Sequence, residues 1–500
     1  MSAGAGESGR PSAVAVPATW ERPRRIRGPG TRVTPDSGLS DGSWPACQTG
    51  AMPRLRLRAL AAVLGALALV AGCGGGSDGG SDKGRRPAGA HVTIRVPADA
   101  PTISAAVSLA RSGDLVLVAP GVYHESVEIR TAGVTVRGTS RDRVVIDGRL
   151  RQANGVVVAA PGVAVENLTV ENNTQNGVLV TGSAAAVAGL PGRSGGYDTG
   201  DEPVTFLKSF LVSYVTATRN GLYGIYAFSA QNGVIEHSYA SGGADSGIYV
   251  GQCKPCRVVV RDNIAELNAV GYEGTNASGD MYVVGNRFAG NRVGLTTDSD
   301  HQEKLLPQRG AVVAGNLIAD NQQASTPQQA DGGWGIGVGI DGGSGNQFVR
   351  NRIAGNADAG FVITATADIP PDGNQITGNA FAANGVDVGW TFPTATHGRG
   401  NCLRGNVLRT TAPARLAATA SCPLPATSPT PSGSWARPAP PAGIPFTDVA
   451  APAPQPQFPG AATTGATAVP AVPALPEVAD VRLPPPSLLA AGARVQVRAR

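Results

Sequence analysis

Methionine is almost missing from this chain: three in 500 residues, with Met281 the single one beyond residue 52. Histidine is scarce and scattered, five in all. Soft metals are held by thioether, thiolate and imidazole groups, so this scarcity argues against soft-metal delivery. An excess of one charge is also lacking, despite a formal net charge of +5. Residues 1–72 carry nine arginines and four acids; 41 less nine and 36 less four leaves 32 of each sign in the rest. A neutral chain gives no electrostatic reason to expect nucleic acid as a partner. Cysteines number six, and no second CxxC at zinc spacing follows Cys253-Lys-Pro-Cys256, which argues against a structural zinc. Long runs with a 3.6-residue apolar period are missing too, which excludes helical repeats.

What is there is a beat. Tyr223-Gly-Ile-Tyr226 returns as Ser246-Gly-Ile-Tyr249, and glycines followed by an apolar residue recur at Gly224, Gly247, Gly271 and Gly294, then at Gly337, Gly360 and Gly385. Asparagines keep time in pairs: Asn263/Asn268, Asn286/Asn291, Asn316/Asn321, Asn351/Asn356 and Asn379/Asn384. Short β-branched runs lie between Gly and Asn turns. Self-similarity at this period predicts a solenoid, in which each unit buries its apolar face by stacking on its neighbours. One coil per repeat, stacked at roughly 4.8 Å, describes a parallel β-helix of ten to twelve coils. The asparagines read as ladders of stacked amides rather than as binding groups.

The chain begins with segments outside that pattern. Residues 1–51 show no element pattern and read as an extension from a start codon placed too early. From 52 to 72, three arginines (54, 56, 58) precede an apolar run too short to span a bilayer, the build of a secretory signal. Val70-Ala-Gly-Cys73 resembles a bacterial lipobox, so Cys73 is the expected lipidation site. Residues 73–90 form a Gly/Ser-rich tether. The expected address is the outer face of the bacterial cell membrane, reached through a lipid anchor alone, with the protein a monomer.

Residues 91–422 are expected to be the β-helix. Thr102 can cap a helix with Ile103, Val107 and Ala110 on one face, and such a helix would plug the open end of the bore. From Pro101 to about Gly138 the chain resembles the opening of right-handed parallel β-helix proteins of the pectin-lyase-like superfamily. Tyr223–Asn356 is similar to a group of bacterial exported β-helix proteins with YGIY and DAGIYVGQ-type segments. The resemblance implies an all-β fold, a right-handed parallel β-helix solenoid with a short N-terminal capping helix. Its relatives include pectinesterases, alginate epimerases and lyases, and a periplasmic copper-site assembly factor. Gly121-Val-Tyr-His-Glu125 matches a pectinesterase segment, but the stretches that carry esterase catalysis are absent. So is the Asp-Pro-His motif of the epimerases.

The pattern also assigns faces. If Ile225, Ile248, Tyr272, Leu295, Val338 and Phe361 point inward, then Tyr226, Tyr249, Glu273 and Thr296 point outward. Phe228, Thr275, Asp298, Asp341 and Thr364 lie two residues further along that face. Aromatic rings beside carboxylates suit a polysaccharide, since rings cover the apolar faces of sugars and carboxylates bond hydroxyls. Tyr226, Phe228, Asp245, Asp298, Asp341 and Trp334 are therefore the expected substrate-binding groups. A uronan lyase or C5-epimerase needs a cation, a base and an acid. Arg309 or Lys304, His301 or Lys304, and Tyr249 could fill these roles beside Glu273. Asp298, Asp300 and Glu303 could instead bind Ca2+, as could Asp198, Asp201 and Glu202. The alternative is a non-catalytic surface or wall protein that binds glycan through the same ladder.

Two features close the reading. Cys253 and Cys256 join two strands and read as a turn staple, and Cys402 and Cys422 bracket the final coil and are expected to be bonded. Residues 423–500, rich in Pro and Ala, are expected to be a disordered or extended tail that could lie along the coil.

Overall fold

The computed structural model describes residues 89–184, 203–301, 303–329, 332–365, 368–393 and 396–490. The extension, the signal segment, Cys73 and most of the tether lie outside them, as do Asp198, Asp201 and Glu202. The described strands form three parallel sheets of 12, 11 and 10 strands. Away from the two ends of the solenoid the strand order in each sheet climbs by threes, so each coil there gives one strand to each sheet. This is a right-handed parallel β-helix, the hand that parallel crossovers take almost without exception. The 12-stranded sheet is called sheet A here, the 10-stranded sheet B and the 11-stranded sheet C.

Registration follows the repeat. In sheet C, Ile225, Ile248, Tyr272, Leu295, Val338 and Phe361 sit directly above one another. All six are in the bore. Sheet A lines the bore with Val212, Ile235, Val260, Val283, Val313, Phe348 and Ile376, and sheet B with Ala217, Ala240, Ala265, Phe288, Ile318 and Ile353. Each coil thus contributes three inward side chains at fixed positions, and the core is continuous from end to end.

The recurring glycines have a steric cause. A Cβ on Gly271 would lie 2.5 Å from Gly294 O and 2.8 Å from Asn291 Nδ2. One on Gly294 would meet Asn321 Nδ2 and Gly337 O, both at 2.6 Å. Gly224 makes room for Gly247 O and Gly385 for Ala357 O and Asp358 O, whereas Gly247, Gly271, Gly294, Gly337 and Gly360 leave room for the asparagines of a ladder. That ladder runs Asn268–Asn291–Asn321–Asn356–Asn384, each Nδ2 donating to the next Oδ1 at 2.9–3.1 Å. A second runs Asn263–Asn286–Asn316–Asn351–Asn379–Asn406 at 2.9–3.0 Å. Sequence reading missed a third, Asn346–Asn374–Asn401.

The cap is present as helix Ile103–Leu109, with Thr102 Oγ1 accepting from Ala105 N at 3.1 Å. Glu125 accepts from Ile103 N and Ser104 N, a carboxylate placed at the helix start. Ile103, Ala106 and Val107 are buried over the bore. Both expected disulfides, Cys253–Cys256 and Cys402–Cys422, are formed.

The Pro/Ala-rich tail, expected as disordered or extended, takes an extended course. Residues 423–490 run back along the coils as an extended strap with three short 3-10 turns. Trp435 Nε1 donates to Asp358 near the last coils. Gln455 and Gln457 reach Asp142 near the first. The strap then returns, with Val481 packed on Val284, Val312 and Ala314 outside sheet A. Leu488 and Leu489 pack on Leu317 outside sheet B. Arginines on the coils hold it by its carbonyls: Arg137 donates to Thr463 O and Gly465 O, Arg141 to Pro456 O, Arg287 to Leu488 O and Arg352 to Pro484 O. A proline-rich segment has few amide donors, and a guanidinium offers five, so the pairing is complementary.

Candidate functional site

The outer face of sheet C carries one continuous row: Tyr226, Tyr249, Glu273, Thr296, Gly339 and Val362, registered coil on coil. A neighbouring row pairs Thr275 with Asp298, and Asp341 with Thr364. Both rows leave the bore, yet they do not share one environment. Tyr226 and Phe228 are fully buried and Tyr249 is 4% exposed. They form a cluster of their own with Val157, Leu179 and Tyr223, in which Tyr226 and Tyr249 meet edge to face at 4.9 Å. This corrects the expectation of an open aromatic shelf: Tyr226, Phe228 and Tyr249 are covered and cannot stack on a sugar in this arrangement.

The loop that follows strand Val293–Asp298 supplies part of the cover. Glu303, 3% exposed, turns back to the sheet and accepts the Tyr249 O–H at 2.6 Å. Asn276 Nδ2 donates to Glu303 Oε2 at 3.3 Å and to Asp300 O at 2.8 Å. Lys304 N donates to Gln252 Oε1 at 2.6 Å. The loop is therefore fastened at four points to two coils. Burial pushes the Glu303 carboxyl well above its ordinary range and raises the Tyr249 phenol as well.

Between this lid and the loop that carries Gln329, the outer face of sheet C bears a strip of half-buried acids, called the acid cleft here. Asp298 is half-buried; its Oδ2 accepts from Thr275 Oγ1 at 2.8 Å, and its Oδ1 is shut off from solvent. Burial raises its pKa to about 7; the hydroxyls of Thr275 and Thr296 oppose that rise, and Asp341 and Asp300 add to it. Asp300 and Asp341 are half-buried near it, and Glu273 shares its Thr275 hydroxyl; Asp245 is half-buried at the opposite end of the strands. From a second insertion, which leaves the coil after Asn321, Gln329 Nε2 donates to Asp245 Oδ1 at 2.6 Å, with Glu273 Oε2 at 3.5 Å. Half-buried Trp334 follows on the same insertion, its indole N–H without a partner among the described residues. A carboxyl that holds its proton near neutrality in a group of carboxyls is a feature of the kind glycosyl chemistry uses.

Other expected site residues fall elsewhere. His301 is exposed and pairs with Asp368 at 2.8 Å. Arg309 is exposed where the loop rejoins sheet A, its N–H on Ser278 Oγ and its backbone bridged to Ser344. The set of His301, Lys304, Arg309, Tyr249 and Glu273 therefore does not assemble as one catalytic group. Nor do Asp298, Asp300 and Glu303 hold calcium here: Glu303 turns to Tyr249 and Asp298 to Thr275. Among the described residues no three Asp, Glu, His or Cys side chains are placed to bind a metal ion. Sequence reading missed Gln252, Asn276 and Gln329, whose amides fasten the two insertions. The signal was one polar residue at the end of each strand, which carries no mark of function by itself.

Among the described residues copper also finds no donor set. Cys253, Cys256, Cys402 and Cys422 are tied in disulfides, and Met281 lies in the bore. His124 sits by Asp147, His237 against Tyr214, His301 by Asp368 and His397 near Phe392, each in a separate place. These residues do not fit a soft-metal site.

A family model described as "Periplasmic copper-binding protein (NosD)" matches residues 110–412. Among curated proteins none matches the sequence. Among solved structures, the Azotobacter vinelandii mannuronan C-5 epimerase AlgE4 A-module is similar at 15% identity and a TM-score of 0.42, over 60% of this chain and 87% of that one. Pectate lyase Pel9A is similar at 13% identity and a TM-score of 0.37, over 64% and 78% of the two chains. DFA-IIIase from Arthrobacter chlorophenolicus A6 is similar at 13% identity and a TM-score of 0.36, over 60% and 88%. At these identities the likeness is one of fold alone.

Proposed function

The chain belongs to the NosD family of periplasmic copper-binding proteins, and from that premise we propose an extracytoplasmic protein that engages glycan in the acid-lined cleft of sheet C. The family's description supports the location. The Cys73 lipobox supports attachment to the membrane surface. The observation that carries the ligand class is the Asp298 carboxyl, raised to about 7 among Glu273, Asp300 and Asp341. Carboxyl groups lining a long cleft bond sugar hydroxyls, and a pair of unlike protonation can act as acid and base.

This arrangement favours a neutral glycan over a uronan. Lyase or epimerase chemistry on a uronate needs cations to neutralise its carboxylate. Arg309 stands at the corner with sheet A, and His301 is committed to Asp368. A uronate entering the cleft would bring a further carboxylate among Glu273, Asp298 and Asp341. Copper assembly has no donor set to support it.

The test is a screen of the exported protein against neutral and uronate-containing oligosaccharides, read by binding and by NMR for turnover. The reading expects neutral oligosaccharides among the ligands and polyuronates to be excluded. Preferential binding of alginate or pectate would sink it.

A further inference from the structure

The strap and the cleft are linked by a short chain of contacts. Residues 322–329 leave the coil just after Asn321, a ladder asparagine, and Gln323 N donates to Asn291 O at 3.1 Å. Where the strap passes, Arg292 donates to Pro441 O, and Ile444 N donates to Thr326 O at 2.9 Å. Gly443 N donates to Gln328 Oε1 at 3.4 Å. The fit there is tight. A Cβ on Gly443 would lie 2.6 Å from Gln328 Cβ and 2.7 Å from Gln328 N. The next residue, Gln329, reaches the cleft and bonds Asp245.

Burial supports a built contact rather than a chance one. Arg292 is 1% exposed, and its Nε and Nη1 have no hydrogen-bond partner among the described residues. Burial lowers its pKa, so the carbonyl from the strap is its compensating contact. Removing the strap would leave a buried guanidinium with no acceptor and would strip Thr326 and Gln328 of their partners. The insertion would then lose its outer support while keeping only its roots on the coil.

We infer that the C-terminal strap is a positioning element for the cleft: its residues 441–444 clamp residues 323–329, which sets Gln329 against Asp245 and Glu273. The inference rests on the glycan reading of that cleft. A site built this way is complete only when the tail lies in its groove, so a chain whose tail is displaced would carry an open, weakened cleft on an intact β-helix.

The experiment uses the full exported chain and three variants. Gly443→Val forces the strap off Gln328, Gln329→Ala removes the reaching amide, and Asp142→Asn loosens the strap at a distant contact with Gln455 and Gln457. Hydrogen exchange of residues 323–329 and the Kd for a neutral oligosaccharide are read together. Gly443→Val should raise exchange in that segment about tenfold and weaken Kd about tenfold, amounts equal to roughly 1.4 kcal/mol each. Gln329→Ala should weaken Kd with exchange of 323–328 unchanged, and Asp142→Asn should leave both at wild-type values. Unaltered exchange in Gly443→Val overturns the clamp. Raised exchange with an unaltered Kd overturns the link to the cleft. Wild-type protein that binds no glycan defeats the reading of the site, and the inference with it, whatever the exchange pattern.

Discussion

Tyr249 and Glu303 meet across 54 residues of chain, the phenolic O–H donating to Oε1 at 2.6 Å with both side chains almost wholly out of solvent. The bond ties an outward side chain of one coil to an insertion rooted two coils on. It decides which part of the outer face is core and which part is cleft.

The first prediction separates the two faces of one strand. Ile248→Asp places a carboxylate in the dry bore and should unfold adjacent coils, at a cost of several kcal/mol. Tyr249→Ala removes a buried ring and leaves Glu303 without its donor, and should cost about 3–5 kcal/mol. Tyr249→Phe keeps the ring and loses only the hydrogen bond, so about 1–3 kcal/mol is expected. Denaturant unfolding of the three variants checks the order. A Tyr249→Ala cost below that of Tyr249→Phe would contradict the covered arrangement.

The second concerns pH. Asp298 has a folded pKa near 7, raised from the ordinary 3.8, so the folded state holds this proton more tightly than the unfolded chain. Stability from this group is present below the unfolded pKa and falls as pH rises towards 7, because ionising it in place is unfavourable. Asp298→Asn removes the ionisation. The variant should therefore gain in Tm relative to wild type at pH 8 and show no gain at pH 4. A Tm difference that is flat across this range would rule out the shift.

The bore was legible from the repeat because inward positions have one environment, the coil above and the coil below. Ile225 and Ile248 could be assigned from each other. The glycines before them were legible as a beat, though their causes, the next coil's carbonyl at Gly224 and the Asn268 amide at Gly247, needed coordinates. Tyr249 shows where the reading stops. Alternation gives the direction in which a side chain leaves the sheet, and it says nothing of what lies there. Its cover comes from Glu303, whose loop follows a strand two coils later. The strap was legible only as a segment that could lie along the coil: composition marked 423–500 as rich in Pro and Ala, whereas its anchors are arginines dispersed over the coils from Arg137 to Arg352.

A third prediction addresses the last coil. Cys402–Cys422 closes a loop of sequence separation 20 between that coil and the start of the strap. Such a bridge contributes about 3 kcal/mol, by constraint of the unfolded chain. Cys402→Ser with Cys422→Ser should lower stability by about this amount and release the strap nearest the bridge to proteolysis first. Equal stability of the double variant and the wild type would remove the staple from the account.

The fourth concerns the address. Cys73→Ala should move the protein from the membrane fraction to the soluble exported fraction, because the coils carry no further anchor in this account. A single acyl chain binds only marginally, so the wild type should carry more than one. Membrane retention of the variant would count against the lipobox.

The central claim is that the acid-lined cleft engages a neutral glycan, and isothermal titration tests it most directly. A neutral oligosaccharide should bind the exported protein at pH 6. Glu273→Gln with Asp298→Asn should abolish the heat of binding while circular dichroism reports an unchanged β-helix. Binding of the same sugar with undiminished affinity by that folded double variant would contradict the account.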